Sequence, residues 1–152
     1  MKKLSFVLAA TALCAPLWVS SAQAQFAKPE DAIKYRQSAF TMLGNHMGRL
    51  QPVLKGQVAF DAAAVKANVA VIQTLSTLPW TAFAAGTQAS SSAKPEIWSD
   101  AAGFKAAQQK FEAAVVQLSA AADSGDLNKL RSAAGDVGAS CKACHDSYRA
   151  KK

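Results

Sequence analysis

From Ile33 onward, apolar residues recur at alternating spacings of three and four, the period of an amphipathic helix and not of a strand. Ile33, Phe40, Leu43, Met47 and Leu50 define a first stripe, entered through Pro29, Glu30 and Asp31, with proline near the first helical position and acids facing the positive end of the dipole. Pro52 marks its expected stop. Asp61 is the expected N-cap of a second helix, with Val65, Val69, Ile72 and Leu75 inward and Pro79 at its end. The stretch from Pro79 to Pro95, with Gly86, Thr87 and three serines, reads as the longest loop. Ser99 is the expected cap of a third helix carrying Phe104, Phe111, Val115, Leu118 and Ala122. Ser124, Gly125 and Asp126 turn the chain into a fourth, whose stripe runs Leu127, Leu130, Ala134, Val137, Cys141, Cys144, Tyr148. Ala-rich and without period-two β-branched runs, the chain predicts an all-α fold, an antiparallel four-helix bundle in one domain.

The first 24 residues do not belong to that pattern. Lys2 and Lys3 precede an almost wholly apolar run from Leu4 to Val19, and Ala22-Gln23-Ala24 is an A-x-A cleavage site. The segment 1–24 therefore reads as an export signal cleaved after Ala24, and 25–152 as the working domain, exported to a bacterial periplasm. Removing 24 of 152 residues leaves 128, and losing two lysines lowers the formal charge from +7 to +5. Cys14 goes with the leader, so two of the three cysteines remain. With 51% hydrophobic and 18% charged residues the chain is no disordered tail. No later stretch is apolar for long enough to span a membrane, and the basic residues are too scattered for a nucleic-acid surface.

The chemistry is concentrated late in the fourth helix. Cys141-Lys142-Ala143-Cys144-His145 is C-x-x-C-H, the attachment motif of c-type haem. Two cysteines three apart share one helix face, so both thiols can reach the vinyl groups of a porphyrin, and His145 can offer an imidazole nitrogen to iron. Both cysteines lie on the core stripe, which would insert the porphyrin into the bundle. A zinc site wants three or four protein ligands, a thioredoxin-like pair wants strands, and a disulfide would leave His145 without a purpose. The cofactor expected is one covalent haem c, tethered by Cys141 and Cys144, with His145 as the iron ligand. Arg36 is the one charge on the first stripe, one turn from Phe40, and needs a partner.

A C-x-x-C-H on the last helix of a four-helix bundle resembles the cytochrome c′ family. The resemblance extends over Gln25 to Lys152 and includes Gln25 to Asp31, Tyr35 to Ala39, Leu78-Pro79-Trp80, Pro95 to Trp98 and Gly138 to Asp146. It implies that a first-helix side chain covers the open face of the iron: a ligating Met in low-spin relatives, a non-ligating apolar group in cytochromes c′. Here that position is Phe40, which has no lone pair to offer, so a five-coordinate, high-spin site is expected. Met42 lies off the stripe, and Met47 stands about 10 Å further along the axis. The resemblance assigns Arg36 and Gln37 to the haem propionates, with a polar residue of the Ser90–Ser92 loop as a further contact, and places Arg149 beside the iron-bound His145. Trp80, Phe83, Phe104 and Tyr148 read as haem-edge or core aromatics.

The function expected is binding of nitric oxide, and more weakly of CO, with discrimination against O₂. An apolar distal pocket offers no donor to the partial negative charge of bound O₂, whereas NO and CO need one less, and Phe40 adds bulk against every distal ligand. The resemblance further implies that NO can displace His145 and finish on the proximal side. The rival reading is a low-spin, Met-ligated electron carrier serving a periplasmic redox partner, docked with help from the positive charge. No distal His–Arg pair lies near Phe40, so peroxidase-like catalysis is not expected. Gly44 and Gly48, with the family resemblance, imply a homodimer through the first two helices.

Overall fold

The computed structural model describes residues 25–89 and 91–151. The expected leader 1–24 and its expected cleavage site, Ser90 and Lys152 lie outside the described residues. Four long helices form the bundle: α1 (Pro29–Leu54), α2 (Ala62–Thr77), α4 (Ala101–Ser124) and α5 (Leu127–Tyr148). A short α3 (Glu96–Ser99) and a 3₁₀ turn (Trp80–Ala82) break up the long connection after α2. Each helix packs on its sequence neighbour, and α1 and α5 meet sparsely where the ring closes. Among the described residues no helix is long and apolar enough to cross a membrane.

The helix ends follow elementary capping rules, with two departures from expectation. Asp61 accepts from the Ala63 and Ala64 amides at 3.0 and 3.1 Å, and Asp126 from Asn128 and Lys129 at 2.8 and 3.1 Å. Between α4 and α5, Gly125 takes φ +68°, the left-handed conformation that glycine adopts without a Cβ penalty. The cap of α4 is Asp100 and not Ser99: its carboxylate accepts from Gly103 N–H at 3.1 Å, while Ser99 ends α3 and donates to the Pro95 carbonyl at 3.4 Å. A carboxylate answers the positive helix end better than a hydroxyl, which moves the boundary by one residue. Pro52 does not stop α1 either. The helix continues to Leu54, because Leu50, Val53 and Leu54 pack against the core and that burial outweighs one missing backbone donor.

The expected stripes form the core. Ile72, Val115, Leu118, Leu130 and Val137 are fully buried, each contributing about 1.5–3 kcal/mol of apolar burial. Small residues such as Ala134 let α5 lie close to its neighbours. Because the bundle is antiparallel, the start of α1 and the end of α5 share one end of the molecule. There the aliphatic core gives way to aromatic rings.

Hydrogen bonds from the Lys129 and Asn128 amides hold the Asp126 carboxyl below its ordinary range. A depressed carboxylate adds stability above the unfolded pKa and loses it as pH falls through the folded one. Asp126→Asn keeps the acceptor but cannot titrate, so the acid side of its melting-temperature profile should be flatter than that of the parent.

Candidate functional site

The last two turns of α5 place Cys141 and Cys144 half-buried on the inner side, with Cys141 against the hydrophobic core. Both are free thiols. Burial raises both thiol pKa values, and the Cys141 charge adds to the rise at Cys144, so both are protonated at neutral pH. His145 follows, an exposed residue whose ring is partly covered. The protein packed behind the ring, and then the positive charge of Arg149, hold its pKa below the ordinary value, against an opposing pull from Asp146. The imidazole is therefore neutral near pH 7, with a nitrogen lone pair free to bind a metal. Arg149, exposed, ends the helix and donates its backbone N–H to the His145 carbonyl at 3.1 Å.

A continuous aromatic wall runs from α1 to the end of α5. Phe40, half-buried on α1, meets Trp80 edge-on at 5.6 Å and Phe83 at 6.4 Å between ring centroids. Trp80 also contacts Phe104 and Phe111, and Phe104 meets Tyr148 at 5.3 Å, which brings the wall to α5. Both indole N–H groups are occupied: Trp80 Nε1 donates to the Ser76 carbonyl at 2.6 Å, and Trp98 Nε1 to those of Phe83 and Ala84 at 3.0 and 3.2 Å. The wall thus presents carbon faces and edges.

Arg36 is 2% exposed and finds partners within the chain. Its Nη1 donates to the Ala82 carbonyl and to Thr87 Oγ1, both at 2.8 Å; its Nη2 donates to the Thr87 carbonyl at 2.7 Å and to Ser91 Oγ at 3.0 Å. The guanidinium also lies 4.6 Å from the Phe83 ring centroid and 6.0 Å from that of Trp98. Four of its five N–H groups are committed to the loop, which leaves Nε–H for any further acceptor. Burial lowers its pKa, but from so high a starting value that the group stays charged. Gln37 is exposed beside it.

The residues fit a covalently held porphyrin. Two thiols three apart stand on one helix face, a neutral imidazole follows them, and aromatic carbon lines the approach. Among the described residues no three His, Cys, Asp or Glu side chains converge as a metal site would require, and His46 is engaged elsewhere, its Nδ1 2.7 Å from Asn68 Oδ1.

The family model for cytochrome C′ matches residues 31–149. The chain belongs to the cytochrome c′ family. It is 66% identical over 128 residues to the cytochrome c′ of Alcaligenes xylosoxydans xylosoxydans, spanning 84% of this chain and 100% of the relative. The cytochrome c′ of Rubrivivax gelatinosus is 51% identical over 129 residues, with the same coverage. Among solved structures, a nitric oxide complex of a mutant cytochrome c prime from Alcaligenes xylosoxidans superposes with a TM-score of 0.82 at 66% identity, covering 84% of this chain and all of that one. Cytochromes c′ carry haem c covalently through cysteines, and Cys141 and Cys144 are those residues here.

Thr87 joins the Arg36 cluster without a sequence motif of its own, whereas Ser91 and Trp98 fall in the Ser90–Ser92 and Pro95–Trp98 stretches that the resemblance named. The one available signal for Thr87 is indirect: a cation on a core stripe demands buried acceptors, and the long loop is where hydroxyls remain unassigned. If Arg36 closes the loop, Arg36→Met should leave the Thr87 carbonyl unpaired and the Ala82 carbonyl with only the Thr87 hydroxyl at 3.5 Å, and cost about 2–4 kcal/mol in urea unfolding. Limited proteolysis should then cut first within residues 82–91.

Proposed function

We propose that this cytochrome c′ is a periplasmic, five-coordinate, high-spin haem protein that binds nitric oxide and, more weakly, CO, and discriminates against O₂. The observation that carries this reading is Phe40, half-buried on α1 against Trp80 and Phe83, in a wall of rings that reaches α5 at Tyr148. Haem c, held by Cys141 and Cys144, supplies an iron that binds diatomic gases and exchanges one electron. His145 is assigned as the protein ligand, its neutral ring ready to coordinate, with Arg149 alongside on the proximal side. Phe40 would cover the open side of that iron with a ring that cannot ligate. Met42 is 50% exposed and Met47 packs against the core, so neither thioether occupies the place of Phe40.

Selectivity follows from the aromatic wall. Its two indole donors are engaged by backbone carbonyls, and Arg36 directs its terminal nitrogens to the loop. A diatomic ligand that gains from a hydrogen bond finds no free donor among these groups, whereas NO and CO depend on one less. Arg36 through its remaining Nε–H, and Gln37 at its side, are assigned to the haem carboxylates, with Trp80 at the haem edge. Ser91 of the long loop reaches Arg36, and so meets those carboxylates at second hand.

Export is supported by coverage. The whole Alcaligenes relative is matched by 128 residues, the length left once Met1 to Ala24 is removed. That the solved neighbour is a nitric oxide complex supports the choice of ligand. A periplasmic redox partner would meet a surface of net charge +5 before the haem carboxylates are counted.

Phe40→Ala should speed CO association by about tenfold or more, a barrier change of about 1.4 kcal/mol, and leave the high-spin spectrum in place. Unchanged CO kinetics overturn the distal block. A sharp low-spin α-band in the parent, lost in Met42→Leu or Met47→Leu, establishes the Met-ligated electron carrier instead. We also assign a homodimer through α1 and α2, with the α1 face around Gly44 and Gly48 in the contact, where a Cβ added to either glycine would meet nothing within 4 Å. Gly48→Glu should convert the protein to monomer by light scattering without shifting its absorption spectrum.

A further inference from the structure

An α-helix ends with four backbone carbonyls that have no partner within the helix. In α5 these belong to His145, Asp146, Ser147 and Tyr148. The Arg149 amide takes the first, at 3.1 Å. Lys94, from the loop before α3, takes the other three. Its Nζ donates to the Asp146 and Ser147 carbonyls at 3.0 and 3.2 Å, and its backbone N–H to the Tyr148 carbonyl at 3.0 Å. A lysine ammonium at this end also opposes the negative pole of the helix dipole. One residue thus finishes the helix turn that presents His145.

The contact continues along the backbone on both sides. Ala93 and Arg149 form an antiparallel bridge, and the Ala150 amide donates to the Ser92 carbonyl at 2.8 Å. At the far end, Ser91 Oγ accepts from Arg36 Nη2 at 3.0 Å and from the Ala93 amide at 3.2 Å. Beside the strap, Tyr148 OH donates to Asp100 Oδ2 at 2.9 Å, over Gly103, where a Cβ would come within 2.6 Å of that hydroxyl. Four loop residues therefore connect the buried guanidinium of α1 to the helix end that carries the haem motif.

We propose that residues 91–94 form a strap that positions the last turn of α5, and that Lys94 is a positioning residue for His145 and Arg149. Lys94 is half-buried and touches the carbonyls behind these side chains, so it acts through the backbone. Its stem passes along the protein while the ammonium reaches the helix end, a geometry that arginine can reproduce and methionine cannot. The strap also gives the Arg36 cluster a mechanical route to the His145 side of the site.

The proposal rests on His145 being the iron ligand, so its test has one readout that depends on iron and one that does not. In the haem-loaded protein, Lys94→Met should raise amide hydrogen exchange at Arg149 and Ala150 by about tenfold or more, from loss of charge-assisted hydrogen bonds at a helix end. It should also shift or broaden the iron–imidazole stretching band of the ferrous protein, and Lys94→Arg should restore both. Unchanged exchange in Lys94→Met overturns the strap. Raised exchange with an unmoved iron–imidazole band makes Lys94 a cap with no positioning role, and overturns the proposal as well. A parent protein lacking that band refutes the His145 assignment and the positioning role together. That result is distinguishable from failure of the strap alone, because amide exchange does not depend on the iron ligand.

Discussion

The structure turns on a buried cation. A guanidinium on the inner stripe of α1 is unfavourable unless every polar partner is supplied, and a loop can supply them only by turning its carbonyls and hydroxyls inward. Arg36 therefore dictates the path of the chain from Ala82 to Ser91, in a connection with little regular structure of its own. With the loop drawn in, Phe83 and Trp98 lie over the charge, and Trp80 stacks on Phe83 to extend the wall. Remove the charge, and the loop loses its reason to fold back.

That constraint divides the bundle into two regions with different physics. At one end aliphatic side chains and alanines pack to a stable interior that needs no polar contact. At the other, aromatic rings gather around one buried cation, and the wall of rings reaches α5 at Tyr148. Carrying both regions on the same four helices makes the core a scaffold that holds the walls of the site in register.

Much of this was legible in the sequence, for reasons that differ from residue to residue. The helices follow from periodicity, since burial at three- and four-residue intervals overrides local detail. Cys141, Cys144 and His145 follow from a spacing with few other chemical uses. What periodicity could not resolve were local competitions. Asp100 displaces Ser99 as a cap by charge, and Pro52 stays helical because three residues around it pack on the core. Arg36 stands out as a misplaced charge, but the loop groups that accept from it lie in a stretch without periodicity, so only three dimensions reveal them. Lys94 is invisible for the same reason: its acceptors are backbone atoms, and backbone atoms carry no letter.

The antiparallel course of the helices also has a kinetic meaning. Phe40 and Arg36 stand near the start of the described chain, and the cysteine pair and Tyr148 near its end. Every contact that closes the site is therefore long-range and carries the full entropy of a large loop, whereas α4 and α5 can pair across a tight turn at once. The helical hairpin is favoured to form first and the site to close last. During that interval the two thiols lie on a formed helix face with no opposing wall, accessible to whatever chemistry must reach them before the first helix docks.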